Sequence, residues 1–369
     1  MTTWAVVGGG TAGCVVAANL AAGRPDDAVT LVESGPVLGG ASLVNGGLVV
    51  GDHTAYQHRL PLEPPADAGT LGAALAAADP LAATVLLARR GGQRVTVAEA
   101  YLAEPPANLT VATGVDVVRI AMLGRRPEGI VTSHGDVPAE RVVLCAGAVG
   151  SPLLLLRSGV SAPGLGQGLQ NHLGVAVAAD IADATASADL DVSVTAEHGD
   201  HQMLAIEPSR AMGGYAAIVA GWLAVRSTGS VTLGEPDGPA TVDVGRLGHP
   251  LDRAGLVTTL AALRQVIDHP SVRAVADEFY VDEAGTTFDA LIAEGDAGIW
   301  AWAERAPNPY HHLAGSCRLG ITVEPGGRVR GYDGLAVCDA SVLPGVPPRN
   351  TYLAVIDLAE RLSAGWARA

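Results

Sequence analysis

The sequence predicts an α/β protein in which a nucleotide-binding unit is interrupted by a mostly β insertion. Three observations carry this. The chain opens with strand, glycine turn, helix and second strand within about 30 residues, a β-α-β unit. Apolar runs of buried-strand character return far downstream, at Arg141 to Cys145 and Leu335 to Cys338. Between them, residues 174–247 alternate apolar and polar residues in short runs, as an antiparallel sheet does.

Taken in order, Trp4-Ala5-Val6-Val7 reads as a buried parallel strand and Gly8 to Gly13 as a glycine turn. Thr11 to Ala22 is an Ala-rich helix ending at Gly23, and Ala28 to Val32 is the second strand. Residues 35–51 are rich in glycine. Residues 52–94 read as irregular, with one helix candidate near 70–90 broken at Pro80. Strand-like runs follow at Leu109-Thr110-Val111 and Gly129-Ile130-Val131, and Pro152 to Arg157 reads as a short helix. Leu256, Leu260, Leu263 and Ile267 share one helical face, and Pro270 stops that helix. The last helix starts near Asn350 and presents Val355, Leu358, Leu362 and Trp366.

The composition narrows the chemistry. The 369 residues allow two domains or one large interleaved unit. Hydrophobic residues make up 49% and aromatics only 4%, so the core is built from Ala, Val, Leu and Ile. All 23 basic residues are arginine, which removes Schiff-base lysine and Walker-lysine chemistry. A net charge of −15 repels phosphate backbones, so no nucleic-acid partner is expected. No stretch reaches the ~18 charge-free apolar residues of a membrane span. The opening Met1-Thr2-Thr3 leaves no room for a signal peptide, and the expected location is cytoplasmic. Cys14, Cys145, Cys317 and Cys338 form no C-x-x-C pair and read as small buried hydrophobes rather than disulfides or metal ligands.

Gly8-Gly9-Gly10-Thr11-Ala12-Gly13 fits G-x-G-x-x-G between a strand and a helix. Gly8 makes the turn, Gly10 admits a pyrophosphate, and Gly13 lets helix and strand pack closely. Thr11 and Ala12 open the helix whose N–H groups and dipole favour that anion. Glu33 lies 20 residues beyond Gly13 at a strand end, where a carboxylate accepts from a ribose diol and repels a 2′-phosphate. The fingerprint alone does not separate FAD from NAD.

Further blocks resemble the glucose–methanol–choline oxidoreductase family. They are Gly39-Gly40-Ala41-Ser42-Leu43-Val44-Asn45-Gly46-Gly47, then Ala146-Gly147-Ala148-Val149-Gly150-Ser151-Pro152 with Ser158-Gly159-Val160, and Gly168-Leu169-Gln170-Asn171-His172. His312-Leu313-Ala314-Gly315-Ser316-Cys317-Arg318-Leu319-Gly320, Val337-Cys338-Asp339-Ala340-Ser341 and Pro347-Pro348-Arg349-Asn350-Thr351 complete the order. The resemblance implies a Rossmann-like FAD-binding domain of the glutathione-reductase type, with an interleaved antiparallel-sheet substrate domain. Residues 1–58, 95–172 and 320–369 would form the first, 173–319 the second, and 59–94 a shortened lid or connection. It implies FAD as cofactor, with Gly8, Gly10, Gly13 and Glu33 on the ADP half and the Val117 backbone at the adenine, within a residue or so. Ser42, Asn45 and Gly46 would line the flavin, Asp339 and Ala340 the pyrophosphate and ribityl chain, and Thr351 the flavin ring. The family's covalent-flavin histidine aligns near Val44, so FAD is expected to be non-covalent.

The implied activity is oxidation of an alcohol by hydride transfer to flavin N5, with His312 as base and Asn350 beside it. Histidine suits the proton step because its ordinary pKa lies near ~6.5. Asn350 also sits where it would cap the last helix, and capping alone is its plainer reading. His311 and His312 point to opposite sides of an extended segment, and either could be the base, with the spacing to Gly315 favouring His312. Trp300 and Trp302 either line an entrance or pack. Arg89-Arg90, Arg125-Arg126 and the pair His198 and His201 read as solvated. The shortened 59–94 connection points to an open flavin, a bulky alcohol substrate, or a partner chain or second copy that closes the site. The electron acceptor (O2, quinone or another carrier) is not chosen by the motifs. The alternatives are a hydroxynitrile-lyase-like enzyme that keeps FAD without net redox and, on the fingerprint alone, an NAD-dependent dehydrogenase.

Overall fold

The apolar run that opens the chain becomes the middle of a parallel sheet. The computed structural model describes residues 1–369 except 57, 182–185, 189, 236–237 and 369, and the side chain of residue 211. The first half contains β1 (Thr3–Val7), α1 (Thr11–Gly23), β2 (Ala28–Glu33), α2 (Gly69–Ala78), β3 (Ala82–Thr84), α3 (Val97–Leu102), β4 (Leu109–Thr113), β5 (Arg141–Leu144) and α4 (Gly147–Arg157). The second contains β6 (Leu173–Ala179), β7 (Val192–His198), β8 (His201–Ile206), β9 (Ala216–Trp222), α5 (Pro250–Ile267), α6 (Gly295–Arg305), β10 (Leu335–Val337) and α7 (Thr351–Arg368).

The first sheet runs β10-β5-β1-β2-β4, with every neighbouring pair parallel. Its inner strands are short and apolar because α1 and α7 cover one face and a Val/Leu-rich layer covers the other. α1 is Ala- and Val-rich on nearly all sides because it is buried on nearly all sides. It packs between the sheet and Tyr352, Leu353, Val355, Ile356 and Ala359 of α7. Each fully buried Val or Leu there contributes ~1.5–3 kcal/mol relative to exposure. Thus the last helix of the chain completes the layer begun by the first.

The second sheet is antiparallel in order β6-β9-β8-β7-β3. α2, α5 and the helices around Phe288 and Ile299 cover one face of it with aliphatic side chains. The fold class is therefore the expected one, with a parallel sheet in a Rossmann-type unit and a separate antiparallel sheet. Residues 52–94 are not irregular, however. α2 ends before Pro80 as expected, but the next residues form β3, which pairs with β7. Residues 87–90 form a further strand. The 70–90 pattern was ambiguous because short Ala/Leu runs suit helix and buried strand alike.

α4 starts at Gly147, five residues earlier than expected, and contains Pro152. Proline removes the N–H that would bond the Ala148 carbonyl. The Ser316 hydroxyl donates to that carbonyl instead, at 2.5 Å, so the Ala148 carbonyl is not orphaned. All four cysteines are free and buried. Trp300 and Trp302 pack rather than line an entrance. Both lean on the second core, with indole N–H donors on the Arg253 carbonyl at 3.2 Å and Asp282 at 3.0 Å. Among the described residues no helix is long and apolar enough to cross a membrane.

Candidate active site

The glycine turn is built by register. Gly8 N donates to the Val32 carbonyl at 2.8 Å, joining the turn to the end of β2. A Cβ on Gly13 would lie 1.7 Å from the Gly8 carbonyl oxygen, so α1 approaches the turn only because residue 13 is glycine. Gly10 differs: a Cβ there would meet only the Gly40 Cα, at 3.9 Å. No neighbour in the chain excludes a side chain at Gly10, and it opens a helix with neither a side-chain cap nor an acid in its first turn. That cradle fits a pyrophosphate on the N–H groups of Thr11, Ala12 and Gly13.

Glu33 ends β2 with its Oε2 accepting from Gly9 N at 2.6 Å and its Oε1 from Gly35 N at 2.7 Å. Gly39 N donates to the Gly9 carbonyl at 2.8 Å, laying the second glycine segment on the first. Val115 N bonds the Glu33 carbonyl at 3.0 Å, and Val117 begins the next strand, opposite Thr132. The adenine-side residues named from the sequence therefore gather at the end of β2.

The residues expected at the flavin are partly committed to the fold. The buried Ser42 hydroxyl donates to the Gly39 carbonyl at 2.7 Å and accepts from Val97 N at 3.1 Å. Asn45 Oδ1 accepts from Gly47 N at 2.9 Å, and Arg94 holds the Asn45 carbonyl at 2.5 Å. Gly46 abuts Val192, whose methyl a Cβ there would meet at 2.6 Å. Val44 is 75% exposed on the same loop. Asp339 is buried, and burial raises its pKa. Its Oδ2 accepts from Gly147 N at 2.9 Å and Ser151 Oγ at 2.5 Å, and its Oδ1 from Ser341 N at 2.8 Å. With the side chains of Ser42 and Asp339 so engaged, what they offer a cofactor is backbone. The Ala340 carbonyl accepts from Gly315 N at 3.1 Å, which brings the His312 segment against this turn.

His312 and Asn350 enter one cluster from different parts of the chain. His312 Nδ1 is 2.8 Å from His172 Nδ1, and His172 Nε2 is 2.8 Å from the Pro347 carbonyl. The Tyr310 ring lies 5.1 Å from His312 and 5.6 Å from His172. Tyr310 OH donates to Gln202 Oε1 at 3.2 Å, and Gln202 Nε2 donates to Asn350 Oδ1 at 2.9 Å. Asn171 fixes the approach of this segment, accepting from His312 N at 2.8 Å and donating to the Tyr310 carbonyl at 2.7 Å. His311, by contrast, is exposed. The imidazole in the cluster is that of His312.

Asn350 directly precedes α7, but its Oδ1 bonds Gln202 from the second sheet. Cross-sheet anchoring replaces the capping-only reading. That contact leaves the Asn350 Nδ2 unused. Burial pushes His172 down to about 4; burial first, then His172 and His311, pushes His312 down to about 3. Both rings are neutral near neutral pH, so His312 holds a free lone pair.

Three partners went unread in the sequence. His172 closes one of the family blocks with no role assigned to it, and Tyr310 and Gln202 carry no motif. Tyr310 did leave a signal. Gly174 and Gly221 face each other across β6 and β9, and a Cβ on either would meet the Tyr310 ring at 2.6 or 2.5 Å. Glycine inside a strand marks such an approach. Two readings are corrected. His198 and His201 are partly exposed but not free: their hairpin places them on Asp79 at 2.6 Å and Thr259 at 2.7 Å. Arg89 is 16% exposed and paired with Asp191 at 2.8 Å, because β3 and the strand after it draw this segment onto the second sheet.

The comparisons agree with this architecture. Residues 3–78 match the family model described as FAD dependent oxidoreductase, the class that the parallel sheet and glycine cradle define. Residues 78–174 and 225–359, together more than half of the chain, match the models of GMC oxidoreductase. The chain belongs to that family, whose cofactor is FAD. The chain is 27% identical over 326 residues to 5-(hydroxymethyl)furfural oxidase of Methylovorus sp., covering 74% of this chain and 61% of that protein. It is 28% identical over 333 residues to pyridoxine 4-oxidase of Microbacterium luteolum, covering 75% and 62%. The chain thus spans about three fifths of the length of these curated relatives. The crystal structure of pyridoxine 4-oxidase from Mesorbium loti shares the fold, with TM-score 0.80 at 20% identity over 100% of each chain.

Proposed function

We propose that the chain oxidises an alcohol to a carbonyl compound, with non-covalent FAD, His312 as base and Asn350 holding the alcohol oxygen. The observation that carries this is the cluster itself: a neutral imidazole and an anchored carboxamide, joined through Tyr310 and Gln202. Relatives named for hydroxymethylfurfural and pyridoxine support a small-molecule alcohol as substrate. Val44 stands where the family resemblance puts a flavin-linking histidine, which supports a non-covalent cofactor.

The reading assigns Gly10 and the first turn of α1 to the pyrophosphate and Glu33 to the ribose. Bound FAD supplies a two-electron acceptor. His312 takes the hydroxyl proton at its unprotonated nitrogen. The Asn350 Nδ2 donates to the same oxygen and holds it in line. The α7 N-terminus places positive dipole behind Asn350. We assign 173–319 to substrate binding. The 59–94 connection is partly carried on that sheet through α2 and β3.

The test is anaerobic mixing of the flavin-loaded protein with a panel of primary alcohols. Loss of flavin absorbance with formation of a carbonyl product is expected, and readmitting O2, then a quinone, identifies the acceptor. A flavin that stays oxidised while a substrate is cleaved would move the assignment to a lyase, which no observation here favours.

A further inference from the structure

We infer that His172 is a positioning residue that fixes the tautomer of His312, leaving His312 Nε2 as the basic atom. The inference rests on the proposed role of His312 and adds which nitrogen does the work and why. The argument is a count of protons along a short chain. A carbonyl oxygen only accepts, so at 2.8 Å from the Pro347 carbonyl His172 Nε2 carries a hydrogen. A neutral imidazole has one N–H, and burial keeps His172 neutral. His172 Nδ1 is therefore a bare lone pair. It faces His312 Nδ1 at 2.8 Å, so the hydrogen between them belongs to His312. His312 then has Nδ1–H on the buried side and an unprotonated Nε2 on its other edge.

The arrangement is rigid. His172 is fully buried, and its own carbonyl accepts from Asn308 Nδ2 at 2.6 Å. Its ring stands edge-on to both Tyr310 and His312. Pro347 lies three residues before Asn350, so one segment fixes the base through His172 and carries the carboxamide directly. When His312 Nε2 gains a proton, its Nδ1–H still has an acceptor, and the imidazolium is held in place. A charged acceptor would do this more strongly; a neutral one keeps the site free of added negative charge.

Nitrogen-15 NMR of histidine-labelled, flavin-loaded protein at neutral pH reads the tautomers without turnover. His312 is expected as the Nδ1–H form and His172 as the Nε2–H form. A wild-type His312 found as Nε2–H overturns the inference, whether or not alcohols reduce the flavin. His172→Leu removes the acceptor. It is expected to lose the single His312 tautomer and to lower kcat on the order of 10²-fold with little change in KM. His172→Gln, whose side-chain oxygen can accept and whose amide can donate to Pro347, is expected to restore both. Unchanged kcat and tautomer in His172→Leu also overturn it. If His172→Leu fails to fold, the wild-type spectrum still decides. Failure of every alcohol to reduce the flavin sinks the proposed reaction but leaves the tautomer reading standing.

Discussion

His312 takes its orientation from neighbours distant in sequence: Asn171 on its backbone, His172 on Nδ1 and the Tyr310 ring beside it. Replacing it removes the proton acceptor without touching the glycine cradle. His312→Ala is expected to retain FAD and lose turnover by on the order of 10²-fold or more. Near-full activity, measured as flavin reduction rate, would discard His312 as base. Tyr310 is held by absence of bulk on β6 and β9. Gly174→Ala or Gly221→Ala forces a methyl to within 2.6 or 2.5 Å of its ring. The expected cost is ~1–3 kcal/mol of stability, read as a lower urea midpoint, with turnover falling as Tyr310 shifts.

At the scale of elements, the start of α1 carries two glycines with opposite reasons to exist, Gly13 inside the helix and Gly10 at its N-cap. Gly13 is required by the protein, since its Cβ would lie 1.7 Å from Gly8 O; Gly10 is required by nothing in the chain. Gly13→Ala should destabilise the flavin-free protein itself. Gly10→Ala should leave the flavin-free melting temperature near wild type while weakening FAD binding, measured by titration. Equal loss of melting temperature in both would refute the cradle. α4 offers a parallel case. Ser316→Ala strands the buried Ala148 carbonyl freed by Pro152 and should cost about 1–3 kcal/mol.

Over the whole molecule, two sheets meet along one cluster, and burying two imidazoles there links stability to pH. The ordinary value of 6.5 applies when unfolded, against about 4 for His172 and about 3 for His312 when folded. Between these values the unfolded chain binds more protons. The stability of the neutral pair is thus complete above 6.5 and is lost as pH falls towards 4, by on the order of a few kcal/mol. Asp339, raised by burial, opposes the trend at the acid end. Urea midpoints of the flavin-loaded protein should fall from pH 6.5 to 4, and less steeply in His172→Gln. Identical slopes would show that His172 is not the linked group.

The sequence by itself determined what is local: the β-α-β opening, the glycine turn with Glu33, the apolar strands, the last helix and the family blocks around His312 and Asn350. These depend on periodicity, turn chemistry and contiguous motifs, which neighbours in the chain carry. Only the tertiary structure decided that His312 rather than His311 faces inward, that Asn350 answers to Gln202, and that His172 and Tyr310 complete the cluster. Those contacts join residues some 110 to 175 positions apart. Strand register and sheet docking bring them together, and neither leaves a spacing in the chain that can be read beforehand.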